Sequence, residues 1–358
     1  MEKVGIVLVN YKDYAKNFLD ECRDSLRTQT FSKELTNVYI VDNASSEETR
    51  SYLKQEYPEA VIVPREDGNY AAANNAGIKK AREDGCEYFV IVNMDVKLDD
   101  RWLEELVTAI KSDNKIGFVQ SLLLLYPQTE EEWKAPKINS VGNVSHYLGF
   151  GFTRGYDEPA SNYPEQDLQE IKGYSSGCSF ITSKEVLDKI GDYDEEYYMY
   201  HDDLEMSWRL KLAGYKIMLA PKSLVYHKYE FARSVRMLYY MERNRFLAIY
   251  SYYKWPTLFL FMPALIFMEL GMWAYATLNG WLSTKLKVKW YFCQVSTWRH
   301  IFKVRKKIKT IRKVRDKDLI KNFSGKIEFQ EIANPLLKYV ANPILNFYFK
   351  VVSKLIFW

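Results

Sequence analysis

Tyr88-Phe89-Val90-Ile91-Val92-Asn93-Met94-Asp95 is an apolar run of strand length that ends abruptly in polar and acidic residues. The run is apolar throughout rather than alternating, which reads as a strand buried on both faces. Such strands belong to parallel sheets covered by helices, where ligands bind beyond the strands' carboxyl ends. Residues 93–95 stand at such an end. The same rhythm precedes them, with strands predicted at 4–10, 38–42 and 60–63 and helices at 14–29, from Ser46, and at 70–84. Ser46 followed by Glu47 and Glu48 is a helix amino terminus by its capping hydroxyl and first-turn acids. Another helix follows Asp99-Asp100 and runs to about Lys111. The alternation predicts an α/β domain with a mainly parallel central sheet, so that Asn10, Asp42 and residues 93–95 share one edge.

Residues 126–172 break this pattern and read as an insertion or acceptor-side loop. A strand at 175–182 and a helix at 184–190 follow. The helix at 204–213 carries Leu204, Trp208 and Leu212 on one face and Met206, Leu210 and Ala213 on another, which places it inside the protein. A strand is predicted at 215–219, and a further apolar stretch leads into Val225-Tyr226-His227.

The character changes near residue 230, and we divide the chain into 1–230 and 231–358. The first part holds 27 Lys/Arg against 40 Asp/Glu, the second 23 against 6. A basic half faces something anionic, and its aromatic and aliphatic content favours a phospholipid surface over nucleic acid. Beyond an aromatic helix at 234–253, residues 255–284 carry a single charge, Glu269. This stretch exceeds the roughly 20 apolar residues that cross a bilayer. A basic stretch, 301–317, places Ile301, Val304, Ile308 and Ile311 at helical spacing, as an interfacial amphipathic helix does. Residues 336–358 repeat the pattern. One clean crossing would put the Lys/Arg cluster outside, against the positive-inside tendency. The expectation is therefore a membrane-associated or re-entrant helical hairpin, bent near Pro263 or Gly271, with both flanks cytoplasmic. The four cysteines form no C-x-x-C pair and read as reduced core residues. The apolar residues 4–9 are too short for a signal peptide.

Three acidic elements can carry chemistry. Asp42, in Val41-Asp42-Asn43-Ala44-Ser45, can accept the N3–H of a uracil or thymine ring. Asp95 at the end of its strand can ligate Mg²⁺ or Mn²⁺, with Asn93 offering a neutral oxygen and His227 an imidazole nitrogen. Asp203, with Asp202 beside it and Glu205 nearby in Tyr200-His201-Asp202-Asp203-Leu204-Glu205, can act as a general base at a helix start; the same acids also serve as ordinary first-turn residues. Asn69-Tyr70-Ala71-Ala72-Ala73-Asn74-Asn75-Ala76-Gly77 offers asparagines to ribose or sugar hydroxyls and small residues for close approach.

Taken in order, Leu8-Val9-Asn10-Tyr11, residues 41–45, 69–77, 93–96, 177–181, 191–196 and 199–209 resemble family 2 glycosyltransferases, nearest the rhamnosyltransferase-like branch. Arg243-Asn244 looks like that branch's downstream Arg-Asn element. The resemblance covers about residues 3–250. It implies a GT-A fold, a nucleotide-diphospho-sugar donor, a divalent metal and an inverting mechanism. By it, Asp42 touches the base, Asp95 the metal, and Asp203 is the catalytic base, with Asn10, Asn43, Asn69, Asn74 and Asn93 around the donor. Asp202 stands where the branch usually has Glu, and Asn93 where a full D-x-D has its first acid. The expected protein transfers a sugar from a dTDP- or UDP-sugar, dTDP-rhamnose among them, to a lipid-linked (polyprenyl phosphate) or polysaccharide acceptor at the cytoplasmic face of the membrane, beside anionic lipids. The alternatives are a processive synthase, disfavoured by the lack of Gln-x-x-Arg-Trp, and a non-catalytic membrane scaffold. No Gly-x-Gly-x-x-Gly follows the first strand, which excludes a dinucleotide oxidoreductase.

Overall fold

The computed structural model describes residues 2–163, 167–229, 238–328 and 335–358. The first elements alternate as the apolar pattern demands: β1 (Lys3–Tyr11), α1 (Tyr14–Arg27), β2 (Thr36–Asn43), α2 (Glu47–Glu56), β3 (Val61–Arg65), α3 (Tyr70–Glu83) and β4 (Cys86–Val92). Ser46 caps α2 by accepting from the Thr49 N–H, and Asn69 caps α3 by accepting from that of Ala72. β1 runs parallel to both β2 and β4, and β2 to β3. The register sets Asn10 beside Asp42. Asn93 directly follows β4 on the same edge, about 10 Å from Asp42, or two strand spacings.

Past β5 (Val96–Leu98) and α4 (Trp102–Lys111) comes β6 (Ile116–Leu125), a ten-residue buried strand with no counterpart in the sequence reading. The expected loop at 126–172 contains α5 (Glu130–Lys134), β7 (Ile138–Ser140), a hairpin of β8 (Asn143–Ser145) and β9 (Gly151–Thr153), and β10 (Gln169–Glu170). Then follow β11 (Ser179–Ser183), α6 (Lys184–Ile190), α7 (Asp202–Leu212) and β12 (Lys216–His227). The large sheet runs β10-β12-β6-β11-β4-β1-β2-β3. β11 lies antiparallel between β4 and β6, so the sheet is mixed, mostly parallel in its long ladders. β12 outruns the predicted 215–219 because its register shifts between Ala220 and Leu224, past Pro221, and pairing then resumes.

The helical region comprises α8 (Leu238–Tyr252), α9 (Trp255–Leu278), α10 (Leu282–Cys293), α11 (Val295–Ile311), α12 (Asp316–Ile320), a π-helical turn (Leu337–Ala341) and α13 (Asn342–Val352). Residues 234–237 of the predicted aromatic helix, and the 230/231 boundary, lie outside the described residues. The apolar 255–284 stretch is not one unit: α9 runs unbroken through Pro263 and Gly271, and the hairpin bends after Leu278, at Asn279 and Gly280. Gly280 holds φ +74°, a conformation natural to glycine. The amphipathic segment also differs from expectation. Ile301 and Ile308 are buried in the protein core rather than turned to a surface, and the helix stops before Arg312. Arg305 donates to the Tyr250 and Tyr253 carbonyls and Arg312 to that of Tyr252, so two of the basic residues cap the carboxyl end of α8.

One core joins the two regions. Tyr197, Leu204, Trp208 and Leu212 pack in a single cluster with Phe246, Tyr252, Phe261, Ile301 and Phe349.

Candidate active site

Asp202 and Asp203 open α7 after three left-handed non-glycine residues, Tyr198, Tyr200 and His201, with φ of 64°, 62° and 61°. Such conformations persist only when surroundings hold them. α8 supplies the hold. The Asn244 amide lies 2.8, 2.9 and 2.7 Å from the carbonyls of Tyr197, Met199 and Tyr200, and Arg243 donates to those of Glu196 and Tyr197. The Arg-Asn pair is therefore a clamp on the loop that delivers the two aspartates, a role the sequence did not disclose.

Asp203 Oδ2 accepts from the Gly177 N–H at 3.1 Å and Oδ1 from the Leu204 N–H at 2.7 Å. Burial raises its pKa above the ordinary carboxylate value, against those two hydrogen bonds. Asp202 is raised further, first by burial and then by the charge of Asp203. Two carboxyls side by side with raised pKa give up their second proton less readily than free carboxylates do. Glu205 differs from both: it is buried against Arg209 at 3.0 Å and accepts from the Tyr252 hydroxyl. Its carboxylate is committed to an internal ion pair, which removes it as an alternative base.

Asp202, Asp203, Asn93 and His227 line one cavity of about 390 Å³, together with Tyr70, Cys178, Tyr174 and Met241. Asn93 accepts from the Tyr70 hydroxyl at 3.3 Å, and its N–H donates to the Cys178 carbonyl. Asp95 lies just behind, buried, with Oδ1 3.5 Å from His227 Nε2. His227 Nδ1 bonds Asn139 Oδ1 at 2.9 Å, which aims Nε2 at Asp95. Burial alone would lower the imidazole's pKa, but Cys178 and Asp95 outweigh it and push it up to about 10. Among the described residues no group of three or more His, Cys, Asp or Glu is placed to hold a metal ion. A carboxylate and an imidazole nonetheless make an O/N pair that fits a divalent cation whose remaining ligands come from a diphosphate.

Asp42 is on the same sheet edge but outside the cavity lining. Asn10 Nδ2 and Arg50 Nε each donate to it at 2.9 Å. The other predicted donor-side asparagines are tied into the framework. Asn10 Oδ1 accepts from the Ala15 N–H, Asn43 links Gly68 to the Asn69 carbonyl, and Asn69 caps α3 and bonds the Glu195 carbonyl. Asn74 Nδ2 donates to the Tyr70 carbonyl. Of the six donor-side residues, only Asn93 lines the cavity. The small residues of α3 serve its approach to the sheet: a Cβ on Gly77 would meet Val7 Cγ1 at 2.4 Å. Sequence reasoning missed Tyr70, Arg50 and the β9 wall of the cavity, Gly151–Thr153; a basic residue early in the helix after a strand-end Asp was the available signal for Arg50.

Fold and site define a nucleotide-sugar-type α/β domain with a paired-aspartate helix start, and the chain belongs to glycosyl transferase family 2, whose model matches residues 5–191. It is 25% identical over 258 residues to the O-antigen biosynthesis protein RfbC of Myxococcus xanthus, covering 71% of this chain and 19% of that protein. It is 24% identical over 208 residues to the N-acetylglucosaminyl-diphospho-decaprenol L-rhamnosyltransferase of Mycobacterium tuberculosis, covering 53% of this chain and 66% of the relative. Both matches thus span less than two thirds of the relative's length. Among solved structures, GalNAc-T7 with UDP, GalNAc and Mn²⁺ superposes with TM-score 0.50 at 17% identity, over 64% of this chain and 43% of that one, a likeness of fold.

Proposed function

We propose that the protein is an inverting glycosyltransferase that moves a sugar from a dTDP- or UDP-sugar to a hydroxyl of a lipid-linked glycan, at the cytoplasmic face of a membrane. The observation that carries the reading is Asp203: a half-buried carboxylate with raised proton affinity, fixed by two backbone N–H groups in the cavity that also takes in Asn93 and His227. Inversion needs one base to take the acceptor hydroxyl's proton as that oxygen attacks the anomeric carbon. Asp203 is that base. Asp202, holding its proton, keeps a second negative charge away from the incoming oxygen. Asp95, with His227 in its neutral form, would hold Mg²⁺ or Mn²⁺, and the metal would offset charge on the leaving nucleotide diphosphate. Asp42 reads the pyrimidine once Arg50 turns aside. The relative that acts on a decaprenol-linked sugar supports a polyprenyl diphosphate acceptor and rhamnose as the transferred sugar.

Asp203→Asn keeps the Gly177 hydrogen bond and removes the base. Transfer measured with radiolabelled nucleotide sugar falls by about 10³-fold or more, while nucleotide diphosphate binding by calorimetry changes less than about threefold. Retained turnover would remove Asp203 from the role. Chelation with EDTA lowers turnover and added Mn²⁺ restores it; an unchanged rate in EDTA would discard the metal.

A further inference from the structure

Of the large hydrophobic side chains exposed among the described residues, all but Tyr11 and Trp133 lie beyond residue 254. They form stripes. α9 exposes Trp255, Phe259, Met262, Ile266 and Leu270, spaced as one helix face, while Leu258, Phe261, Ala264 and Leu265 on the opposite face are buried. α13 and its extension repeat this, with Ile344, Phe347, Val351 and Leu355 outside and Leu345, Phe349 and Val352 inside. The inner faces meet at Tyr147, whose ring packs on both Phe261 (5.0 Å) and Phe349 (4.6 Å). Phe261 and Phe349 also meet each other, with ring centroids 6.2 Å apart, and the Tyr348 hydroxyl donates to the Leu260 carbonyl, so α9 and α13 lie side by side and their exposed stripes border one another. Patches of this extent mark contact surfaces.

Charge identifies what covers the face. Phe302 of α11 abuts Trp255, with ring centroids 6.3 Å apart, and exposed Lys303 and Lys306 flank it. Lys350 and Lys354 lie exposed along α13. An apolar face rimmed by lysines, with Trp255 at its border, fits acyl chains below anionic headgroups.

The packing also decides orientation. α9 has 24 residues, about 36 Å, enough to cross a bilayer. Yet Glu269, beyond its middle, pairs with Arg245 at 2.9 Å, Lys285 at 3.0 Å and Lys289 at 2.9 Å, and Lys285 also holds Glu242 at 2.8 Å. α10 folds back to make these pairs. A crossing α9 would drag this charged group and the Tyr147 loop into hydrocarbon, which is strongly disfavoured.

We propose that the protein docks in plane on a single anionic leaflet through the outer faces of α9 and α13, and that α9 does not span the bilayer. The inference takes from the proposed function only the presence of a membrane and is independent of the reaction in the cleft.

The test is flotation of the full-length protein with sealed phosphatidylcholine vesicles containing about one third phosphatidylglycerol. The wild type floats, and binding drops several-fold between about 0.05 and 0.5 M salt as the rim is screened. The double variant Phe259→Ser/Phe347→Ser, altered only at exposed positions, binds roughly tenfold or more weakly with an unchanged melting temperature. For orientation, Asn279→Cys at the hairpin bend, made in a Cys293→Ser background, escapes an impermeant maleimide trapped inside the vesicles. Labelling from the lumen would mean α9 crosses and would overturn the proposal. So would equal flotation of the double variant, or a wild-type dimer that fails to float and that the two serines convert to monomer. Loss of transfer in Asp203→Asn with flotation intact separates failure of the site from failure of the docking face.

Discussion

At the scale of single residues, the two adjacent acids at the start of α7 have divergent environments. Both acids take backbone hydrogen bonds that favour the charged form, but Asp202 is the more deeply buried and also bears its neighbour's charge. In the proposed reaction only ionised Asp203 works. Its pKa is raised, so activity is present at high pH and lost as pH falls through that raised value, above the limit of about 4 for a free carboxylate. The acid limb of kcat/KM measures this. Asp202→Asn replaces a neutral acid with its neutral amide, so it keeps the limb in place and most of the rate; a limb that moves would show that Asp202 is ionised in the working enzyme. The sequence located both acids but left capping and catalysis open, because either role requires the same residue at the same helix position. It could not reveal which asparagines were already engaged. Asn10 and Asn43 look free as letters, yet each bonds backbone groups brought close only by the fold.

Among the elements, legibility followed periodicity. The strands and helices of the first hundred residues were readable because each apolar run is bounded by capping or turn chemistry, as at Ser46 and Asn69. β6 was not, because Ile116-Gly117-Phe118-Val119-Gln120-Ser121 mixes glycine and polar residues in a strand whose edges pair with β11 and β12 and whose Gly117 face is covered by Leu210 of α7. The hairpin bend was misplaced since Pro263 is a stronger sequence signal than Asn279-Gly280. A proline in the first half of a long helix removes one hydrogen bond, and packing of Phe261 and Ala264 holds the helix through it. The loop before α7 depends on an element far away in sequence. Asn244 of α8 engages three of its carbonyls, so Asn244→Ala leaves polar backbone unsatisfied in a left-handed turn, at about 1–3 kcal/mol. The expected result is a kcat lowered about 10–100-fold by misplacement of Asp203, with donor KM within about threefold. An equal loss in both parameters would place Asn244 at the donor instead.

Over the whole molecule, the charge division near residue 230 and the shared core pull in different directions. Composition separates an acidic α/β part from a basic helical part, as two domains would. Packing does not: Trp208 stacks on Phe323 at 5.1 Å and contacts Tyr253, Tyr147 hydrogen-bonds the Leu345 carbonyl, and His300 of α11 bonds Asp194 at 2.8 Å ahead of the left-handed loop. Tyr291 of α10 holds Glu196 in the same stretch at 2.6 Å. The helices that offer an apolar face to the outside are thus the ones that hold the aspartate loop from behind. Removing them would expose Leu204, Trp208 and Leu212 and release Glu205 from Tyr252. Each large apolar side chain taken out of a core of this kind forfeits about 1.5–3 kcal/mol, and several at once exceed the 5–15 kcal/mol by which domains are stable. A chain ending at residue 229 should therefore fail to give a cooperative thermal transition and should expose apolar surface to a hydrophobic dye, even though it keeps every strand of the sheet and both aspartates. A sharp unfolding transition for that fragment would show that the α/β part folds alone and that the common core is a contact between two independent domains.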